Sequence, residues 1–240
     1  MNIDRMYVIQ EIINRKRAKR YLEIGVREGE CFLKIKAPKK IAVDPHIAIT
    51  PQKKRKYCLK NLSNLFNKYV EMTSDDYFKG NHELLTGRSF DVVFIDGLHT
   101  YEQSLKDVHN SLRYLNEEGV IIMHDCNPQS EAAAYPAHSY QHAESLNIPG
   151  FTGEWNGDVW KTIVYLRSSR KDLNVFVLDC DQGLGVIVKR KPENGLLYSP
   201  EEIHSLSYRE LDSKRKHLLN LKSQEYFHEF LMTLNVGPKE

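Results

Sequence analysis

Apolar positions along this chain follow two rhythms in turn. From Ile3 to Ala18 they recur every three to four residues (Ile3, Met6, Ile9, Ile12, Ile13), which predicts an amphipathic helix over 3–18. Short, nearly continuous apolar runs follow at Arg20–Ile24, Lys40–Asp44, Tyr69–Met72, Phe90–Asp96 and Gly119–Asp125, and each predicts a buried strand. Between them lie a short helical stretch through Cys31–Ile35, a longer one over 53–67, and a poorly patterned one ahead of Phe90. The clearest is His99–Leu115, where Tyr101, Leu105, Val108, Leu112 and Leu115 keep helical spacing. A turn at 116–119 separates it from the next strand, and Pro128 discourages continuation beyond.

Residues 129–156 show no period and contain Pro136, Pro149, Gly150 and Gly153, the composition of a lid or binding loop. A helix then opens near Gly157, with Asp158 as its expected N-cap and Trp160 inside it as a core residue. Asn174–Leu178 and Leu184–Lys189 are joined by a short link, which implies an antiparallel hairpin. From Pro200 the chain is polar and helical. The order βαβαβαβαβ with a closing hairpin predicts an α/β fold: a doubly wound, mostly parallel sheet with helices on both faces and a helical C-terminal tail. We expect an α/β domain over 1–195 and a helical extension over 196–240.

Bulk properties narrow the class. The chain of 240 residues carries 34 Lys+Arg against 32 Asp+Glu, a net charge of +2. Nothing in that balance pulls it generally toward nucleic acid or membrane, and neither is expected as a partner. Lys53–Lys56 is a local basic cluster, read as the solvated start of a helix. Cys31, Cys58, Cys126 and Cys180 are scattered and form no C-x-x-C pair, which argues against a zinc knuckle or disulfide scaffold. With no apolar signal core at the N-terminus and no bilayer-length apolar run, a cytoplasmic protein is expected.

Two motifs carry chemistry. The first strand ends in Glu23-Ile-Gly-Val-Arg-Glu-Gly29. Gly25 can take positive φ and Gly29 lets the next segment pack close. Nineteen residues past Gly25, Asp44 ends the second strand, where an acid can accept from both hydroxyls of a ribose. Arg27 replaces the second glycine of the dinucleotide fingerprint and Glu23 adds negative charge, so a dehydrogenase reading is weak. A ligand with adenosine, ribose and a positive centre but no phosphate fits better.

The second motif is Asp96, His99, His124 and Asp125. If their strands are neighbours, the strand ends lie about 4.8 Å apart and both acids face one crevice. Such acids need a cation or a shared proton between them, and Mg²⁺ suits oxygen ligands. His99 or His124 could serve as a general base. Along an unbroken strand, however, His124 and Asp125 would point to opposite faces.

With Leu22–Gly29, Val43-Asp44, Phe94–Glu102 and Gly119–Asp125 on the page, the chain resembles the class I S-adenosylmethionine-dependent methyltransferases, a Rossmann-like family. Its small bacterial branch acting on sugars and other natural products is the nearest match. The resemblance covers 20–125 well and 155–190 loosely. It implies that Glu23, Gly25, Val26 and Gly29 line the methionine end of S-adenosylmethionine, that Asp44 holds the ribose, and that Asp75 lies near the adenine. Asp96 would stand by the methyl donor. Asp96, His124 and Asp125 match positions that hold a divalent metal in some relatives, which usually have an acid where His124 stands; His99 matches a frequent companion of the acid. The implied reaction is O-methylation of a small-molecule or sugar hydroxyl, with His99, His124 and Asp125 as catalytic candidates. Tyr135, Tyr140, Phe151 and Trp155 would cover the acceptor. A metal-dependent hydrolase and a non-catalytic nucleotide-binding module are the alternatives, and Leu218–Leu231 could form the apolar seam of a homodimer.

Overall fold

The structure is a computed structural model that describes residues 3–80, 85 and 90–236. The chain order is α1 (Arg5–Lys16), β1 (Arg20–Ile24), β2 (Lys39–Asp44), α2 (Pro51–Lys60), a 3-10 helix (Leu62–Phe66), β3 (Lys68–Glu71), α3 (Ser74–Lys79), β4 (Phe90–Ile95), α4 (Tyr101–Tyr114) and β5 (Leu115–Met123). It continues with α5 (Tyr140–Ser145), α6 (Trp160–Ser169), β6 (Asn174–Leu178), β7 (Leu184–Val188), α7 (Pro200–Ser205), α8 (Tyr208–Leu219), β8 (Leu221–Lys222) and α9 (Tyr226–Thr233). The class is the expected Rossmann-like α/β, mostly parallel with an antiparallel hairpin near its end. The chain forms two compact units, one of residues 1–97, 107–122 and 227–240, the other of 98–106 and 123–226.

In the first unit the strand order is β3-β2-β1-β4-β5. β1 runs parallel to both neighbours, with Ile24 level with Val43 and with Ile95. The residues that follow, Gly25, Asp44 and Asp96, therefore emerge together at the carboxyl edge, where open parallel sheets bind ligands. The apolar stripe of α1 is buried through Val8, Ile9 and Ile12. Asp4 caps this helix by accepting from the Tyr7 amide at 2.8 Å.

Two expected helices differ for one reason. Residues 31–35 form turns, and the 53–67 helix is split at Asn61, which is extended at φ −149°. The buried Lys40 ammonium donates to the Phe32 and Ile35 carbonyls at 2.7 Å each and to Asn64 Oδ1 at 2.6 Å. Asn64 donates in turn to the Leu33 carbonyl, and Asn61 to that of Ile35. Side chains thus take the carbonyls that a helix would have used. Most of the poorly patterned helix expected before Phe90 lies outside the described residues; α3 is its described start. The expected turn at 116–119 is absent, since β5 begins at Leu115 directly after α4.

In the second unit the order is β7-β6-β8, with β6 antiparallel to β7 and parallel to β8. Trp160 is core, as expected, at 1% exposure. Arg167 donates to the carbonyls of His217 and Leu218, which ties α6 to the end of α8. The tail residues Leu211, Leu218 and Leu219 are fully buried here, and Phe227 and Phe230 are buried in the first unit. The proposed seam of apolar tail residues is therefore largely consumed by the chain's own packing. None of the four cysteines is disulfide-bonded.

Gly25 is a backbone position with no room for a side chain. It holds φ +84°, and a Cβ there would sit 1.9 Å from the Asp96 carbonyl oxygen. Gly25→Ala is expected to lose about 1–3 kcal/mol from backbone strain before the steric overlap is added. Urea unfolding checks this: an unchanged midpoint would show that the turn is not built as described.

Candidate active site

The first unit supplies a preset turn. The Gly25 amide donates to the Val43 carbonyl at 2.9 Å, and the Asp96 amide donates to that of Ile24 at 2.8 Å. Asp44 Oδ2 accepts from the amides of Val26 and Arg27, each at 2.8 Å, and Oδ1 accepts from His46 at 2.7 Å. The acid expected to hold a ribose is thus also the strut of the loop beside it. Gly29 keeps φ +70°, with Ile49 and Leu33 crowding the place of a Cβ. Asp75 sits half-buried in the first turn of α3, whose cap is Thr73.

Glu23 is 1% exposed, and Tyr21 donates its hydroxyl to Oε2 at 2.5 Å. Burial pushes its pKa up to about 8, and the neighbouring charge of Asp96 adds to the rise. Asp96 itself accepts from Arg5 Nη1 at 3.1 Å. Arg5 lies in α1, far from either motif in sequence, and was not foreseen.

The second unit gathers the catalytic candidates. β5 stops at Met123, and Asp125 adopts a left-handed backbone at φ +61°. That turn removes the expected conflict of direction: Asp125 Oδ2 lies 3.0 Å from His124 Nδ1 and 3.2 Å from His99 Nε2. His124 Nε2 lies 3.5 Å from Asp181 Oδ1. Asn156 donates to Asp125 Oδ1 and to Gln182 Oε1, both at 2.6 Å. His99 Nδ1 is 2.7 Å from the Trp155 carbonyl oxygen. A carbonyl can only accept, so Nδ1 carries a proton, and Nε2 is the nitrogen that faces Asp125. Asp125 Oδ2 receives no aligned donor, although two imidazole nitrogens are near it. Among these side chains His99 is the most accessible, 23% exposed against 6% for His124 and 5% for Asp125.

Some assignments change. Asp158 caps α4 instead of its own helix, accepting from the Tyr101 amide at 2.7 Å. Trp155 does not present an open face: its ring stacks on His99 at 5.1 Å between centroids, and its Nε1 donates to the Tyr135 carbonyl. Residues 129–156 are partly ordered by α5, whose Ala143 packs with Ala137, Trp155 and Phe151. Tyr135 and Tyr140 remain exposed. Asn156, Asp181 and Gln182 were missed. Their only sequence signals were the Asn156-Gly157 pair and the polar link Asp179–Gly183.

Residues 22–126 match a family model described as a methyltransferase domain. Over that stretch the chain resembles a methyltransferase domain. The solved structure of the O-methyltransferase TomG from Streptomyces achromogenes, in complex with S-adenosylmethionine, superposes with a TM-score of 0.52 at 12% identity, covering 76% of this chain and 78% of that one. An O-methyltransferase from Bacillus cereus, in complex with the demethylated cofactor, gives 0.51 at 13% identity, covering 78% and 83%. At such identities these likenesses show the fold alone. No curated protein matches in sequence. Neither the hydrolase nor the non-catalytic reading draws support from these matches.

Glu23 makes stability depend on pH in a defined sense. Its carboxyl binds a proton more tightly folded than unfolded, rising from 4.5 to about 8. The stability this confers is full below about pH 4.5 and is lost as pH rises through 8. Glu23→Gln should therefore gain on wild type as pH rises across that window, by on the order of a few kcal/mol at the top. Thermal unfolding of both proteins from acid to pH 9 would show the widening gap; parallel curves would refute the buried, proton-binding Glu23.

Proposed function

We propose that this methyltransferase uses S-adenosylmethionine to methylate a hydroxyl of a small-molecule acceptor, a sugar or other natural product, with His99 as the base. The observation that carries the reading is the commitment of His99 Nδ1 to the Trp155 carbonyl. It turns Nε2 toward Asp125 Oδ2, 3.2 Å away, so that a proton taken up at Nε2 is paired with a carboxylate. A hydroxyl proton accepted at Nε2 makes His99 an imidazolium beside that carboxylate. Asp125 then stabilises the imidazolium that forms, while Asn156 holds its other oxygen. His124, between Asp125 and Asp181, orients the carboxylate and is too buried to meet an acceptor.

S-adenosylmethionine, when bound, supplies a methyl group on a positive sulfur, open to in-line displacement. Glu23, Gly25, Val26, Gly29 and Asp96 are the residues we assign to its methionine end, Asp44 to the ribose and Asp75 to the adenine. Asp44 is 8% exposed and has further lone pairs beyond its three amide bonds. A sulfonium nearby would favour the ionised form of Glu23, against the burial that now holds its proton.

Mg²⁺ fits this chain less well than the motif suggested. The second unit brings the imidazoles of His99 and His124 to the carboxylates of Asp125 and Asp181, a mixed nitrogen and oxygen set, whereas Mg²⁺ seeks near-octahedral oxygen ligands. Asp96, expected as a further ligand, has a guanidinium partner. No step here runs through a metal, and EDTA is expected to change turnover by less than about twofold. A loss of more than about tenfold, restored by a divalent ion, would require a metal-bound alkoxide instead.

His99→Ala should lower kcat by roughly 10²–10⁴-fold and remove the acid limb of the pH–rate profile, while calorimetric affinity for S-adenosylmethionine stays near wild type. If the cofactor binds and turnover survives this change, the base lies elsewhere.

A further inference from the structure

The stretch 45–70 holds six cations (Lys53, Lys54, Arg55, Lys56, Lys60 and Lys68) and no acid, in a chain whose net charge is only +2. The rest of the molecule is therefore net acidic, and the balance of the whole chain hides a local concentration of charge. The same stretch carries four large apolar side chains that the fold leaves in solvent: Leu59 at 80% exposure, Leu62 at 70%, Leu65 at 63% and Phe66 at 71%. α2 buries no residue at all. Its outer face carries Arg55, Lys56, Leu59 and Lys60, all exposed. The 3-10 helix that follows places Leu62 and Leu65 one turn apart, on one side.

We infer that this face is a docking surface for an anionic lipid bilayer. Exposed leucines and a phenylalanine ringed by lysine and arginine are the composition of a segment that lies in a membrane interface. Protein interfaces instead deplete lysine, and five of these six cations are lysines. The cations are set to reach lipid headgroups. Lys54 already lies over the Tyr69 ring at 4.0 Å, with its stem along apolar surface, and only Lys53 is drawn inward, to Glu30. No helix of the described residues is long and apolar enough to cross a membrane, so the association would be peripheral. An acceptor or product of low water solubility would suit an enzyme held there.

The test is co-sedimentation of the full chain with phosphatidylcholine vesicles, with and without phosphatidylglycerol at about a third of the lipid. Binding is expected to the anionic vesicles only, weakening with salt. Arg55→Gln and Lys56→Gln should each weaken it roughly fivefold. Leu62→Ser with Phe66→Ser should abolish it while leaving the circular dichroism spectrum unchanged, since both side chains are exposed. Equal sedimentation with and without vesicles would overturn the inference. So would a dimer in velocity sedimentation that the Leu62→Ser/Phe66→Ser variant dissolves, which would give the face to a second copy. Binding of single-stranded DNA in place of vesicles, with the same charge dependence and no effect of the apolar changes, would give it to nucleic acid.

Discussion

The second unit is organised around one carboxylate that is only half satisfied. Asp125 sits in left-handed backbone, a conformation that costs about 1–3 kcal/mol in a non-glycine residue. The strain persists because the surroundings over-determine it. Asn156 grips Oδ1, and the β6–β7 turn, itself left-handed at Asp181, Gln182 and Gly183, takes the next two amides of the chain, from Cys126 and Asn127. Arg215 of α8 then donates to Asn127 Oδ1 and the Pro128 carbonyl. What this scaffold presents is Oδ2, buried and without an aligned donor.

The first unit handles charge in the opposite way. Lys40 is buried, yet each of its three protons has an acceptor, and burial lowers its pKa only to about 8. Asp44 spends both oxygens on backbone amides. These groups fix loop geometry, and a network fully satisfied in low dielectric is rigid. Glu23 is the exception, buried beside the Tyr21 hydroxyl and the Cys31 thiol with an acid nearby, and it responds by holding its proton.

Much of this was legible in the sequence because it depends on local periodicity. The strand ends at Ile24, Asp44 and Asp96 follow from apolar runs that stop at an acid or glycine, and parallel register then aligns them. His99, His124 and Asp125 were legible as chemistry, and they do assemble. What escaped was whatever relied on a side chain reaching across many residues. Asn64 reaching the Leu33 carbonyl, Asp158 capping α4 and Arg5 meeting Asp96 leave no mark in a window of ten residues. Asn156 escaped because an Asn-Gly pair reads as a turn, and here Gly157 does pack against the His99 carbonyl, leaving the asparagine's second role invisible.

The tautomer of His99 shows how a tertiary contact can decide chemistry that the motif leaves open. The sequence offered two histidines of equal standing. A backbone carbonyl cannot donate, so its contact with Nδ1 fixes the proton there whatever residue stands at 155. The ring stack with Trp155 adds the second constraint, holding the plane that aims Nε2 at Asp125. His124 has no such polarity, because both of its nitrogens face carboxylates, and it is sealed from an acceptor. The assignment of the base thus rests less on which histidine is near an acid than on which one has its other nitrogen already committed.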